Sequence, residues 1–178
     1  MSTRKPLLAL GLVTLTLGLA LAFGTGPAFT ETPGVGQAIT ESDVAAWNIE
    51  ALPDGKGLPP GSGTAAQGAA IFAQKCEACH GKDGIGGSNA ALANAPGKSE
   101  RTMALYVPNA TTIFDFTRRA MPWPQPKSLT SDETYALTAY ILARNKVIGE
   151  DEAMNAQTLP KVRMPNRDGF VSRYPVKH

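Results

Sequence analysis

The chain has 178 residues, of which 43% are hydrophobic and 18% are charged, and its formal net charge is +2. This length and composition fit one globular domain with a modest core. The first 22 residues contain two positive charges and no negative ones, so the remainder is formally neutral and does not favour a nucleic-acid partner. Aromatic residues make up only 7%, whereas glycine and proline are plentiful. We therefore expect the centre of the domain to be filled partly by something other than side chains.

The N-terminus has the charge-then-apolar order of an export signal. Arg4 and Lys5 precede an apolar and small-residue run at 7–23, and the small residues at 20 and 22 supply a cleavage site. Cleavage would make 1–22 a signal peptide and place the mature protein in the periplasm. Without cleavage, a run of this length lies at the lower limit of the roughly 17–25 residues that span a bilayer, and the chain would be membrane-anchored.

The next segment, 23–63, is predicted to be an extended N-terminal arm that ends in a Gly/Pro-rich loop. Its last part, LPDGKGLPPGSG at 52–63, has four glycines and two adjacent prolines. This density of helix and strand breakers predicts an irregular backbone.

Three later segments have the period of amphipathic helices, and we predict helices at 65–75, from Asn109 to about Ala120, and from Asp132 to about Lys146. Capping boxes open the first and third helices, formed by Thr64 with Gln67 and by Thr130 with Glu133. No run alternates for long with a period of two residues, so we expect no sheet. The predicted fold class is all-α, with a helical domain at 64–148. The polar, proline-spaced segment 149–178 is predicted to be a C-terminal arm that lies on the domain or is partly disordered.

The stretch KCEACHGKDG contains both cysteines of the chain, Cys76 and Cys79, followed directly by His80. A disulfide or redox pair could use the cysteines, but a thioredoxin-like dithiol normally lies in a βαβ context. A structural zinc ion needs four protein ligands, and only His178 is left to join these three. Cys-x-x-Cys-His is instead the pattern of c-type haem attachment. We therefore predict one covalently bound haem c, with Cys76 and Cys79 as thioether anchors and His80 as the proximal iron ligand.

The second axial position of the iron has several candidate ligands, namely Met103, Met121, Met154, Met164 and His178, or it is open. Met121 is preferred because it follows the second predicted helix and enters the loop MPWPQP, whose prolines restrict the backbone. Ligation by His80 and Met121 would fill both axial positions and favour an electron carrier over a haem enzyme.

Four positions now make the chain resemble a class I cytochrome c: Gly68 and Phe72 in the first predicted helix, and Leu137 and Tyr140 in the last. In that family such positions form the crossing of the first and last helices, where a glycine allows close approach. The resemblance implies helices wrapped around one covalent haem, here with extended N- and C-terminal arms. Tyr106, Arg118 and Trp123 are candidate donors to the haem propionates, because propionates need hydrogen-bond donors when they are partly buried.

A narrower resemblance covers about 40–170 and includes VAAWNIEALPDGKGLPPGSG, NATTIFDFTRRAMPWPQPKSLTSDETYALTAYILARN and LPKVRMPNRDGF. These blocks are similar to the SoxD-like cytochrome subunits of the Sox sulfur-oxidation system. The resemblance implies a periplasmic subunit that accepts electrons from a molybdenum-containing sulfite or sulfane dehydrogenase and has no catalytic site of its own. A downstream cytochrome c or oxidase of a respiratory or photosynthetic chain would then receive the electrons. Some family members carry two haem domains, whereas this chain has one Cys-x-x-Cys-His motif.

Two other functions stay open from the sequence: a general diffusible cytochrome c, and a haem enzyme or sensor with a labile sixth ligand. For a subunit that docks on a dehydrogenase, the glycine-rich GIGGSN loop beside the motif is the expected docking edge, because glycines leave little bulk between haem and partner.

Overall fold

The computed structural model describes residues 36–171 and 173, and the chain divides into two units, Met1–Glu41 and Ser42–His178. The predicted signal segment, 1–22, lies outside the described residues. The described part contains six α-helices and two strands: α1 Glu41–Trp47, β1 Ser62–Thr64, α2 Ala65–Lys75, α3 Glu77–His80, α4 Met103–Tyr106, α5 Ala110–Ala120, α6 Ser131–Arg144 and β2 Ala153–Asn155. Short 3-10 turns occur at Lys82–Gly84 and Leu159–Lys161. In this part of the chain no helix is long and apolar enough to cross a membrane.

The three predicted helices are confirmed as α2, α5 and α6, with bounds within two residues of those expected from the sequence. Both predicted capping boxes form. The Thr64 amide donates to Gln67 Oε1 at 2.9 Å, and the Thr130 amide donates to Glu133 Oε2 at 2.9 Å. Asn109 occupies the N-cap of α5, but its side chain makes no capping hydrogen bond.

The expectation of no sheet is wrong in one place. Strands β1 and β2 pair antiparallel, with Gly63 opposite Met154. Each strand has three residues, which is too short for an alternating pattern to appear in the sequence. A Cβ on Gly63 would lie 2.3 Å from the Ala136 amide nitrogen, so the glycine lets this strand pair pack directly on the backbone of α6.

Helices α2 and α6 cross with their backbones in close contact at Gly68, as the resemblance to class I cytochromes c implied. A Cβ on Gly68 would lie 2.0 Å from the Ala136 carbonyl oxygen and 2.7 Å from Tyr140 Cβ. One turn along α2, the Phe72 ring packs against the Tyr140 ring with centroids 5.1 Å apart. These side chains form a buried cluster with Leu129 and Leu137. The crossing therefore fixes the end of α2, where the cysteine motif begins.

The segments on either side of the helical domain pack against a second buried cluster, built around α5 and α6. From the C-terminal segment, Met154, Leu159 and Met164 are fully buried in it. From the N-terminal segment, Ala51 and Leu58 contact the same cluster. The described part of the segment after Gly149 therefore lies on the domain, which is the first of the two arrangements expected from the sequence.

A charged contact ties the end of α2 to the start of α6. Lys75 Nζ lies 2.6 Å from Glu133 Oε1, and the other oxygen of Glu133 caps α6. The hydrogen bond from Lys75, aided by that from the Thr130 amide, lowers the pKa of Glu133 below its ordinary value of 4.5. A lowered folded-state pKa stabilises the protein above that ordinary value, and the stabilisation is lost as the pH falls through the folded-state pKa.

We expect Glu133→Gln to reduce the free energy of unfolding by at most about 1 kcal/mol at pH 7, because Gln keeps the capping box but loses the charge and the pair is partly exposed. The difference from wild type should shrink towards the most acidic pH at which the protein still folds. Urea unfolding at both pH values measures it. In a Lys75→Met background the same substitution should cost little, and an equal loss in both backgrounds would contradict the pairing.

Candidate functional site

The cysteine motif consists of Cys76, which lies at the junction of α2 and α3, and of the one-turn helix α3, which contains Cys79 and His80. The Cys76 amide donates to the Phe72 carbonyl at 2.9 Å, which continues the helical pattern of α2. The Cys76 carbonyl then accepts from the amides of Cys79, at 3.1 Å, and His80, at 3.0 Å. Both cysteines are free thiols. The turn thus places two thiols and one imidazole next to each other at the end of a rigid helix.

The imidazole of His80 is oriented by a backbone carbonyl. His80 Nδ1 lies 2.8 Å from the Ala90 carbonyl oxygen. A carbonyl oxygen can only accept a hydrogen bond, so Nδ1 carries a hydrogen, and in the neutral imidazole Nε2 is then the nitrogen with the lone pair. A histidine metal ligand requires this arrangement, in which the second nitrogen fixes the tautomer and the ring orientation.

The loop that supplies the Ala90 carbonyl folds back onto the motif and needs glycines to do so. Gly81 has φ of +80°, and a Cβ there would lie 2.1 Å from the Ile85 carbonyl oxygen. A Cβ on Gly87 would lie 2.3 Å from the Cys79 carbonyl oxygen. That same carbonyl accepts a hydrogen bond from the Asn89 amide at 3.0 Å. Gly81 and Gly87 are therefore explained by packing within the chain.

Helix α6 anchors this loop at two points. The Tyr140 hydroxyl donates to Asp83 Oδ1 at 3.1 Å, and Asn145 Nδ2 donates to the Leu92 carbonyl at 2.7 Å. Burial, with the hydrogen bond to Asp83, raises the pKa of Tyr140 to about 12, so its hydroxyl stays protonated and acts as the donor. The position of the His80 ring is thus coupled, through the loop, to the helix that crosses α2.

The state of the Cys76 thiol argues against a redox dithiol. Burial raises the pKa of Cys76 to about 11, whereas catalytic dithiols have a thiol whose pKa is lowered. No group of three or more His, Cys, Asp or Glu side chains is placed to share a metal ion within 36–171 and 173. Two thiols beside an oriented imidazole are the groups that attach and ligate a c-type haem.

The candidate distal ligands differ in how they are packed. Met154 and Met164 are buried in the core beside α5 and α6, and Met103 packs against the same cluster. Met121 lies outside that cluster, at the C-cap of α5 and partly exposed, with its amide donating to the Thr117 carbonyl at 3.1 Å. His178 lies outside the described residues. Among the methionines that the structure describes, Met121 is therefore the one whose side chain does not pack in or against the core cluster.

The candidate propionate donors have other contacts. Arg118 Nη1 donates to the Ile49 carbonyl at 3.1 Å, so its guanidinium holds the N-terminal arm. Tyr106 packs edge-on against Phe170, and Trp123 is largely exposed. The sequence did not predict that Arg118 of α5 binds the N-terminal arm. It also did not predict that the Ala90 carbonyl orients the His80 ring. Gly81 and Gly87, in the loop after His80, were the feature of the sequence that indicated that this loop turns back onto the motif.

Comparisons with known proteins agree with this geometry. The family model described as cytochrome c oxidase, cbb3-type, subunit III, matches residues 63–141. One chain in the crystal structure of the sulfane dehydrogenase SoxCD from Paracoccus pantotrophus is 34% identical, with a TM-score of 0.70 over 79% of this chain and 72% of that chain. The chain belongs to the class I cytochromes c. No curated protein sequence is significantly similar to it.

Membership of this family confirms the predicted all-α cytochrome fold and the resemblance to Sox proteins. A class I cytochrome c carries haem c and transfers electrons. The residues of this cytochrome fit that cofactor, since the Cys76–His80 turn offers two free thiols and an imidazole with an available Nε2.

Proposed function

We propose that this class I cytochrome c is a periplasmic electron-transfer subunit of a molybdenum-containing sulfane or sulfite dehydrogenase. It would pass electrons on to a downstream cytochrome c or oxidase. The observation that carries the proposal is the extent of the likeness to the SoxCD chain. The cytochrome family model covers only 63–141, whereas the SoxCD likeness covers 79% of the chain and so includes parts of the arms. A freely diffusing carrier needs the haem domain but does not need these arms.

Within the proposal, Cys76 and Cys79 would hold one haem through thioether bonds, and His80 Nε2 and the Met121 thioether would ligate its iron. The bound iron supplies one-electron chemistry by alternating between its ferric and ferrous states. The Ala90 carbonyl keeps the His80 ring in the ligating tautomer. The α2–α6 crossing, with Phe72 and Tyr140 at its centre, gives Cys76 a buried apolar cluster to pack against.

Occupation of both axial positions by protein side chains determines the class of function. If His80 and Met121 both ligate the iron, a sulfur compound or gas would have to displace one of them to bind there. A weak, neutral thioether also raises the reduction potential relative to harder ligands. The chain is then suited to accept electrons from a partner that oxidises the sulfur compound itself. Export to the periplasm, which the charge-then-apolar N-terminus favours, is part of the same proposal.

The ligand assignment predicts a specific spectroscopic loss. The oxidised wild type should show the weak near-infrared band of a sulfur–iron bond, and Met121→Ala should lose it because alanine offers no ligand atom. The reduced variant should then bind carbon monoxide rapidly, whereas the reduced wild type should not. Met103→Ala is the matched control, and it should keep the band.

If Met103→Ala abolishes the band and Met121→Ala keeps it, the ligand assignment is wrong. Rapid carbon monoxide binding by the reduced wild type would favour a haem enzyme or sensor over an electron carrier.

A further inference from the structure

The exposed apolar side chains of this cytochrome are not evenly distributed. Within 42–171 and 173, eight large apolar side chains are exposed. Five of them lie in two segments, the N-terminal arm and the end of α5 with its following loop: Val44, Trp47, Leu52, Phe116 and Trp123. Isolated exposed apolar residues are ordinary, but a concentration of them marks an interaction surface.

Three contacts join these two segments. The Ala51 amide donates to Asp115 Oδ1 at 2.9 Å, and Arg118 donates to the Ile49 carbonyl at 3.1 Å. Further along the loop, Lys127 Nζ lies 3.9 Å from the centre of the Trp47 ring. The arm and the loop after α5 therefore form one continuous surface. We call the five apolar residues above, together with Lys127, the arm–loop surface.

The two tryptophans are the most unusual part of the arm–loop surface. Trp47 is 77% exposed and Trp123 is 80% exposed. Tryptophan is highly buried on average, and it is enriched among the residues that contribute most to binding at protein interfaces. Lys127 adds a positive charge over Trp47, and it has no carboxylate in an ion pair with it among the described residues. A partner that fits this surface offers apolar pockets for the two indole rings and a carboxylate for Lys127.

The GIGGSN loop beside the cysteine motif, which was the docking edge expected from the sequence, lacks these features. In the described part of the chain, no exposed large apolar side chain belongs to 81–93. Of its three glycines, Gly87 is required by contact with the chain's own backbone, and Gly84 and Gly86 have φ of +78° and +72°, so their small size is no sign of a partner's approach.

We propose that the arm–loop surface is the docking surface for the catalytic subunit of the dehydrogenase. This inference rests on the proposed function and adds the place of contact. The similar SoxCD chain comes from a dehydrogenase assembly, and its likeness to this chain extends past the haem domain towards the arm. The loop that carries Trp123 and Lys127 begins at Met121, the proposed distal ligand. Docking here brings the partner next to the iron site, as electron transfer requires. Aromatic anchors are also typical of stable interfaces.

The test measures binding of the haem-loaded cytochrome to the purified dehydrogenase catalytic subunit by titration calorimetry. Trp47→Ser and Trp123→Ser should each raise Kd at least about tenfold, since truncated anchor residues at interfaces have effects of this size. Lys127→Glu should raise Kd and change the dependence of Kd on salt concentration. Phe170→Ser is the matched control, an aromatic residue that is 51% exposed outside the arm–loop surface, and its Kd should equal that of the wild type. An intact near-infrared band in each variant shows that the haem site is preserved.

Three other outcomes overturn the inference, each in a different way. If the wild type binds and the Trp47→Ser/Trp123→Ser double variant binds equally well, the surface is wrong while the proposed function stands. If the wild type does not bind the catalytic subunit at all, both fail. If the wild type forms a dimer that the double variant abolishes, with dehydrogenase binding unchanged, a second copy of this chain is the occupant.

Discussion

A chain that carries Cys76→Ser and Cys79→Ser together should contain no covalent haem, even when produced in a host with haem-attachment machinery. Serine hydroxyls do not form thioether bonds with the porphyrin vinyl groups, and no other thiol exists in the sequence. Because the domain has few aromatic residues and two modest buried clusters, loss of the attached group should also leave it largely unfolded at 25 °C.

Haem-stained denaturing gels and intact-protein mass measure the attachment, and circular dichroism measures the fold. Met121→Ala is the matched control, because it should lose the axial ligand while it keeps the covalent haem. A double serine variant that still carries haem under denaturing conditions would refute attachment through the motif. A colourless wild type from the same host would do so as well.

Gly68→Ala should strongly destabilise the haem-loaded protein. The added methyl group would lie 2.0 Å from the Ala136 carbonyl oxygen and 2.6 Å from its carbon, and both are backbone atoms of α6. The two helices must separate to admit it, which also loosens the Phe72–Tyr140 contact. We expect a net loss of about 2–3 kcal/mol in the free energy of unfolding, because overpacking outweighs the better helix propensity of alanine.

Urea unfolding of the haem-loaded protein measures this loss. Gly149→Ala is the control, since a Cβ there meets only the flexible Glu152 side chain, at 3.3 Å, and its stability should stay within about 0.5 kcal/mol of wild type. Equal stability of Gly68→Ala and wild type would mean that the helices do not approach as closely as described.

The features that the sequence predicted correctly are those that depend on residues close together in the chain. Capping boxes such as Thr64 with Gln67 span four residues, and the helical period repeats within each segment, so α2, α5 and α6 could be placed without tertiary information. The glycine at 68 was interpretable because a family resemblance supplied its partner helix.

The features that were missed depend on contacts between distant parts of the chain. Arg118 meets Ile49 across 69 positions, and Tyr135 donates to the Pro59 carbonyl across 76. No local pattern encodes such pairs, and the same holds for the β1–β2 pairing. The burial of Met164 was equally invisible, because polar and proline-spaced surroundings concealed a core residue. The axial role of Met121 stays a prediction, supported by its position at the end of α5.

Reduction of the haem by the dehydrogenase tests the electron-transfer assignment most directly. The oxidised wild-type cytochrome is mixed with the purified molybdenum dehydrogenase and its sulfur substrate, and the absorbance bands of reduced haem are followed with time. The assignment predicts rapid reduction that requires both the enzyme and the substrate. If the haem stays oxidised while an artificial acceptor in the same mixture is rapidly reduced, the partnership is contradicted and a general electron carrier takes its place.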